Sequence, residues 1–418
     1  MSSHPDGKVD APQPGAASNV MVARQPIFDR SRNVAAYELL YRADHGEHAN
    51  VVNGDQATAH VVVTSLLDIG LQHLVQNRAA FINATRELLV SDGALALPPE
   101  RVVLEIVEDT RVDDELLQAV QRLAMQGYRF ALDDFSYQPH WQPLIELAQV
   151  VKLDVLALSP GQLEEHVALL RRYDLKILAE KVETDEQFEF LNDLGCDYFQ
   201  GYFFARPNIV VGSRLPGNKL AALRLLALVQ DPETSVAEVT ELIAQDPSLS
   251  YRLVRFVNSA AVGLPATVTS VQRAVAYLGM DAIRRWVSLT TIANIQDKNA
   301  ELIRMTLIRA RMAELLSDGT PRCSPDVGFT VGLFSTLDAL MDQPLREILP
   351  QLRLTEELNS ALMHGEGPHG QVLEAVRAYE RGAWQQAASL AGNVSRTQLA
   401  DLYMKALQWT QDAVFAPL

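Results

Sequence analysis

The sequence predicts two fold classes in one chain, an α/β barrel of the TIM type followed by an all-α domain. Three observations predict this. Through the first half, short apolar strands alternate with helical stretches in units of about 25 residues, the rhythm of a parallel sheet, and this many units suffice to close a barrel. Several of these strands end in carboxylates or amides, as barrel strands do where they open into a site. From Lys219 onward the pattern is almost wholly helical.

Taken in order, Met21 to Phe28 reads as a short strand, with Pro26 placing it at an edge or near its end. Asp29 to Asn33 is a polar turn and Val34 to Arg42 a second strand, so the two form an antiparallel hairpin. Asp55 to Gly70 has helical periodicity, with Asp55 as its cap. Ala79 to Thr85 is a strand reaching Asn83, and Arg101 to Glu108 a strand carrying Glu105 and Glu108. Residues 112–126 form an amphipathic helix. Arg129-Phe130-Ala131-Leu132-Asp133-Asp134-Phe135 reads as a buried strand ending in two adjacent acids. Residues 143–149 allow only a short helix. Val150 to Leu156 is a strand with Lys152 and Asp154, and 161–172 is helical. Lys176 to Val182 carries Glu180, with Glu183 just beyond, and Thr184 caps a helix to Leu194. Asp197 to Ala205 is the last strand, with Gln200.

The second half opens with a helix from Leu220 to Val229. Asp231-Pro232-Glu233-Thr234-Ser235 breaks it, and Ser235 with Glu238 makes a capping box for the next. Asp246-Pro247-Ser248 starts a third helix, which continues through 251–258. Helices over Ser270–Leu278 and Asp281–Ile295 follow, and helices 371–379 and 397–413, joined by a looser segment, complete the domain. The expected division is a disordered leader 1–19, a barrel 20–207, a linker 208–218 and a helical domain 219–418. The leader has prolines and glycines but no apolar centre, so it is no secretion signal.

The chain has 418 residues and a net charge of −16, which argues against broad binding to nucleic acid or anionic membrane. Its two cysteines, Cys196 and Cys323, fit neither a zinc spacing nor a disulfide framework, and a reducing cytoplasm is expected. No run of about eighteen apolar residues predicts a membrane span.

In such a barrel the polar side chains at strand ends converge on one mouth. The candidate set is Glu38, Asn83, Glu105, Asp133, Asp134, Lys152, Glu180 and Gln200. Carboxylates and an amide oxygen are hard donors suited to Mg²⁺ or Mn²⁺. A lysine among them would orient water or stabilise charge developing on phosphate. Two cations bridged by these carboxylates would clamp an in-line phosphodiester hydrolysis.

These same residues resemble the EAL domain of cyclic di-GMP phosphodiesterases, a modified TIM barrel. Glu38-Leu39-Leu40 stands where that family has Glu-Ala-Leu, with Arg42 at the nearby phosphate-contacting arginine. Asn83, Glu105, Asp133 and Asp134 match metal ligands, Lys152 and Asp154 the Lys-x-Asp strand, Glu180 and Glu183 the Ala-Glu-Gly-Val-Glu segment, and Gln200-Gly201-Tyr202 its Gln-Gly-aromatic triplet. The resemblance implies that Glu38, Asn83, Glu105, Asp133 and Asp134 hold metal. It implies that Lys152, Glu180 and Gln200 serve catalysis, that Arg42, Asp154 and Lys181 touch substrate, and that Glu108 and Glu183 support them. Departures are also present. The glycine-rich loop of active members is replaced by Ser136-Tyr137-Gln138-Pro139-His140-Trp141-Gln142-Pro143, which has no glycine and two prolines. Lys181 replaces a glycine, and Leu39 an alanine.

The second half resembles an HDOD domain. The motifs are Asp231-Pro232-Glu233, Asp246-Pro247-Ser248-Leu249-Ser250, Val257-Asn258-Ser259-Ala260 and Ala274-Val275-Ala276-Tyr277-Leu278-Gly279. The His-Asp pair of the related hydrolases is replaced by Gly332-Leu333-Phe334-Ser335-Thr336-Leu337, so neither metal nor hydrolysis is expected in this half. His364 and His369 read as solvated loop residues, Trp286 and Trp384 as core. Tyr251, Arg252 and Arg255 lie on a helix whose exposed side could meet a partner. The whole reads as a cytoplasmic signalling protein. Its barrel is a sensor or adaptor, weakly active or inactive, coupled to an HDOD domain that binds protein partners. The alternative is an active cyclic di-GMP phosphodiesterase. Neither nucleic acid nor membrane is an expected partner, and a homodimer is compatible with the resemblance.

Overall fold

The structure is a computed structural model that describes residues 20–43, 70–135, 138–205, 217–231, 233–258, 268–293, 295, 298–352, 354–392 and 394–414. The expected leader, the helix over 55–69 and residues 206–216 of the linker region lie outside the described residues.

Eight strands close a barrel in chain order: β1 (Val20–Asp29), β2 (Val34–Ala43), β3 (Ala79–Ala84), β4 (Val102–Ile106), β5 (Arg129–Leu132), β6 (Val150–Asp154), β7 (Lys176–Glu180) and β8 (Tyr198–Gln200). β1 runs antiparallel to both β2 and β8, and the remaining pairs are parallel. The tight turn Asp29–Asn33 makes β1 and β2 antiparallel: Asp29 accepts hydrogen bonds from the backbone of Ser31 and Asn33, and no crossover helix fits in so short a link.

Strand alternation builds the interior in layers. An apolar floor is made by Ala36, Phe81, Val103, Ala131, Val150 and Leu178. Two residues further along the same strands come Glu38, Asn83, Glu105, Asp133, Lys152 and Glu180. A period of two puts each polar residue on the same inward face as its floor residue, one layer nearer the mouth.

The strands stop earlier than the sequence suggests. β5 ends at Leu132, so Asp133 and Asp134 lie in the following turn, with Asp134 at φ 41. β4 ends at Ile106, which leaves Glu108 exposed in a turn. β8 ends at Gln200, and Phe203–Ala205 is a 3₁₀ turn. The hydrophobic run continues past each end because the loops also pack inward: Phe135 and Val182 are buried. Several helices in the barrel start at side-chain caps. Asp113 accepts from the Leu116 N–H, and Ser159 and Thr184 each form a full capping box with a glutamine.

The helical half begins at Gly217, within the expected linker. Its expected helices are present, and the segment expected to be loose contains the helix Trp384–Leu390. Trp286 and Trp384 are buried, as expected. His364 is exposed at a helix end, but His369 corrects the reading. It lies in the first turn of the helix Gly367–Glu380 and is 2% exposed. Its Nδ1 meets Glu357 at 2.7 Å and its Nε2 accepts from the Ser324 N–H at 2.9 Å. Pro368 starts that helix early, which turns His369 toward the core instead of solvent.

Among the described residues, no helix directly follows the hairpin β1–β2 before Leu71. The helices Ala300–Asp318, Gly367–Glu380 and Arg396–Val414 pack on the hairpin β1–β2, and barrel and helical residues share one continuous apolar cluster.

Candidate functional site

The inward polar layer centres on Lys152, which is 1% exposed. Its Nζ lies 2.8 Å from Glu105, 2.8 Å from Asp133, 2.9 Å from Glu180 and 3.7 Å from Glu38. Gln200 Nε2 donates to Glu38 at 2.5 Å and to Gln25 at 3.0 Å. Tyr41 donates its hydroxyl to the backbone oxygen of Asn83. Asn83 and Glu105 are paired across β3 and β4, so their side chains stand side by side.

The electrostatics follow from crowding acids in a dry place. Burial pushes Glu105 well above the usual carboxylate range, against the pull of Lys152. Burial likewise pushes Glu180 up to about 8. Burial would lower Lys152, but Glu105, Glu38, Glu180 and Asp133 outweigh it and hold the ammonium well above its ordinary value. Four carboxylates around one ammonium leave negative charge uncompensated, and protons or a further cation must supply the balance.

The donor set suits a divalent ion. Asn83 Oδ1 and Glu105 Oε2 are buried without a hydrogen-bond partner, and every donor is a hard oxygen. As placed, the carboxylates are drawn onto Lys152, and no three acidic, histidine or cysteine side chains among the described residues are arranged around a metal position.

The expected residues divide. Glu38, Glu105, Asp133, Lys152, Glu180 and Gln200 come together, with Asn83 beside Glu105. Asp134 stands apart: its carboxylate lies 3.7 Å from Lys181, which is hydrogen-bonded to Asp154. Asp154 sits below its ordinary range because Lys181 and the Leu156 and Ala157 N–H groups outweigh its burial. Arg42 lies on β2 opposite Met21, at the mouth end, and its side chain is outside the described residues. Glu183 donates its N–H to Gln187 in the capping loop of the next helix, and exposed Glu108 makes no ion pair with the cluster. Sequence reasoning missed Gln25. Its signal was available, since a hairpin closed at Asp29–Asn33 places Gln25 opposite Glu38.

Gly201 shows why the Gln-Gly step is needed. It sits at φ 148, and a Cβ there would lie 2.0 Å from the Val182 carbonyl oxygen.

Comparison with known proteins agrees with both halves. The model for the EAL domain matches residues 16–207, and that for the HDOD domain matches residues 215–352. The cyclic di-GMP phosphodiesterase CdgJ of Vibrio cholerae is 34% identical over 398 residues, covering 94% of this chain and 92% of that protein. The uncharacterized protein YuxH of Bacillus subtilis is 33% identical over 409 residues, covering 95% and 99%. Among solved structures, an EAL domain protein from Listeria monocytogenes is 21% identical with a TM-score of 0.36, covering 45% of this chain and 87% of that one. The chain belongs to the family of proteins that join an EAL domain to an HDOD domain.

Proposed function

We propose that the barrel is a divalent-metal-dependent phosphodiesterase that opens cyclic di-GMP to the linear dinucleotide, and that the helical half is a protein-docking module without hydrolytic activity of its own. The sequence alone favours a sensor or adaptor. The observation that carries the present reading is the buried Lys152 held among Glu38, Glu105, Asp133 and Glu180, an arrangement costly to maintain and short of positive charge. The likeness to CdgJ over nearly its whole length supports the choice of substrate.

In this reading Glu38, Asn83, Glu105 and Asp133 hold a Mg²⁺ or Mn²⁺ ion. When bound, the ion polarises phosphate oxygen and makes water more acidic. Lys152, fixed by its carboxylates, orients the attacking water and faces the charge that develops on phosphate. Gln200 fixes the rotamer of Glu38, and Gln25 in turn fixes Gln200. Arg42, at the mouth end of β2, holds a phosphate.

The test is turnover of cyclic di-GMP by the full chain in Mg²⁺ or Mn²⁺, read by chromatography. Glu38→Ala and Lys152→Ala are each expected to abolish it. Activity surviving in both sinks the assigned site. A second reading, binding without turnover, is favoured by the tie between Lys181, Asp134 and Asp154 across the mouth. Calorimetric binding of cyclic di-GMP in Ca²⁺, with no linear product in Mg²⁺ or Mn²⁺, supports it over hydrolysis.

A further inference from the structure

Two lysines face the mouth, and they are built differently. Lys152 is buried on β6 and reaches the first group of acids. Lys181 lies just past β7 with half its side chain exposed. It is hydrogen-bonded to Asp154, and its Nζ stands 3.7 Å from Asp134. Both Lys181 and Asp134 have left-handed backbone, at φ 57 and φ 41, which non-glycine residues seldom adopt. Two strained turns from neighbouring parts of the barrel thus point opposite charges at each other. Residues held in such conformations cluster at functional sites.

The acids of the mouth therefore form two groups. Glu38, Glu105, Asp133 and Glu180 share one ammonium, and beside them Asn83 Oδ1 and Glu105 Oε2 lack hydrogen-bond partners. Asp134 and Asp154 share another ammonium, which leaves one acid in excess there against three around Lys152. Each group holds an ammonium, so a divalent ion is drawn more strongly to the group with the larger excess of acids.

We propose that Lys181 is a tethered cation that occupies the Asp134–Asp154 pair and limits the mouth to one divalent ion, held on the Lys152 side. The proposal rests on the metal-dependent reading given above. It makes Lys181 a specificity-determining residue that sets how many ions the barrel takes up. A long side chain is needed to reach both acids from the turn after β7, and glycine at this position would leave the pair open.

The experiment is equilibrium dialysis of the full chain against Mn²⁺ alone, counting bound ions per chain. Lys181→Gly suits the left-handed backbone, so the variant is expected to fold, and circular dichroism checks this. The expected result is one ion in the wild type and two in Lys181→Gly, with the second ion lost on adding Asp134→Asn. Lys181→Arg, which keeps the charge, is expected to bind one. Two ions in the wild type, or one in both the wild type and Lys181→Gly, overturns the proposal. No ion in the wild type and one in Lys181→Gly supports the role of Lys181 while overturning the metal reading of the Lys152 group. No ion in either protein overturns both.

Discussion

At the scale of single residues, Lys152 decides most. Removing its ammonium leaves Glu38, Glu105, Asp133 and Glu180 buried against one another, and breaking a buried pair from one side costs about 3–5 kcal/mol. Lys152→Met is therefore expected to lose stability of that order in urea unfolding without divalent ions, and Mg²⁺ is expected to return part of it. An unchanged midpoint would show that these acids carry no charge in the fold. Glu180 sets a pH dependence with a definite sign. Its folded value of about 8 lies above its ordinary 4.5, so the fold holds a proton that the unfolded chain releases. That contribution is complete below the ordinary value and is lost as pH rises through about 8. The thermal midpoint of the metal-free protein should fall across this window, and Glu180→Gln should flatten the slope. A wild-type midpoint that rises across it sinks the assignment. Much of this was legible in the sequence, because strand period two places Glu38, Asn83, Glu105, Lys152 and Glu180 on one face. The separation of Asp134 from Asp133 was not. It depends on φ 41 in a turn that no strand pattern encodes, and on Lys181 coming from another strand.

At the scale of elements, glycines set how closely the helical half packs. The helix Pro325–Phe334 crosses Ala300–Asp318 through Gly328 and Gly332, one turn apart. A Cβ on Gly332 would lie 2.6 Å from the Ala310 Cα and 2.8 Å from the Arg309 carbonyl oxygen, both backbone atoms that cannot yield without moving a helix. Gly332→Ala is expected to cost about 1–3 kcal/mol by overpacking, measured by chemical denaturation; a neutral result would mean the crossing is loose. Next to it, Arg309 is buried, paired with Glu380 at 2.7 Å and donating to Ser335 at 3.0 Å. Thr306 and Thr336 share a hydrogen bond at 2.7 Å. The segment 332–337 is thus packed by hydroxyls and an ion pair. The sequence could not indicate this packing, since Arg309, Ser335 and Glu380 meet only after three helices have packed.

At the scale of the molecule, the two halves share a core, and the junction lies one residue from the site. Along β1, Arg24 faces outward and Gln25 inward. Arg24 lies over the Tyr37 ring, donates to the Leu74 carbonyl at 2.6 Å, and stands 3.7 Å from Glu301 of the helical half. Glu301 also accepts from Tyr37 at 2.8 Å and from Arg304 at 2.6 Å, while Tyr379 donates to the Val22 carbonyl at 3.1 Å. On the other face, Gln25 supports Gln200, which holds Glu38. Neighbouring residues of a strand move together, so a shift of the helical half against β1 would reach Glu38 through Gln25 and Gln200. Glu301→Ala is then expected to act twice. It removes the carboxylate facing buried Arg24 inside the junction, at about 3–5 kcal/mol. It also loosens β1, changing cyclic di-GMP affinity or turnover by about 5-fold or more if coupling reaches its usual size. Gln25→Ala should change the barrel's chemistry similarly while sparing much of the junction's stability. The two variants separate the roles: a loss of stability in Glu301→Ala with unchanged nucleotide affinity and turnover would make the helical half a cover for the hairpin, whereas parallel changes in both variants would make the junction the route by which a partner on the helices reaches the barrel.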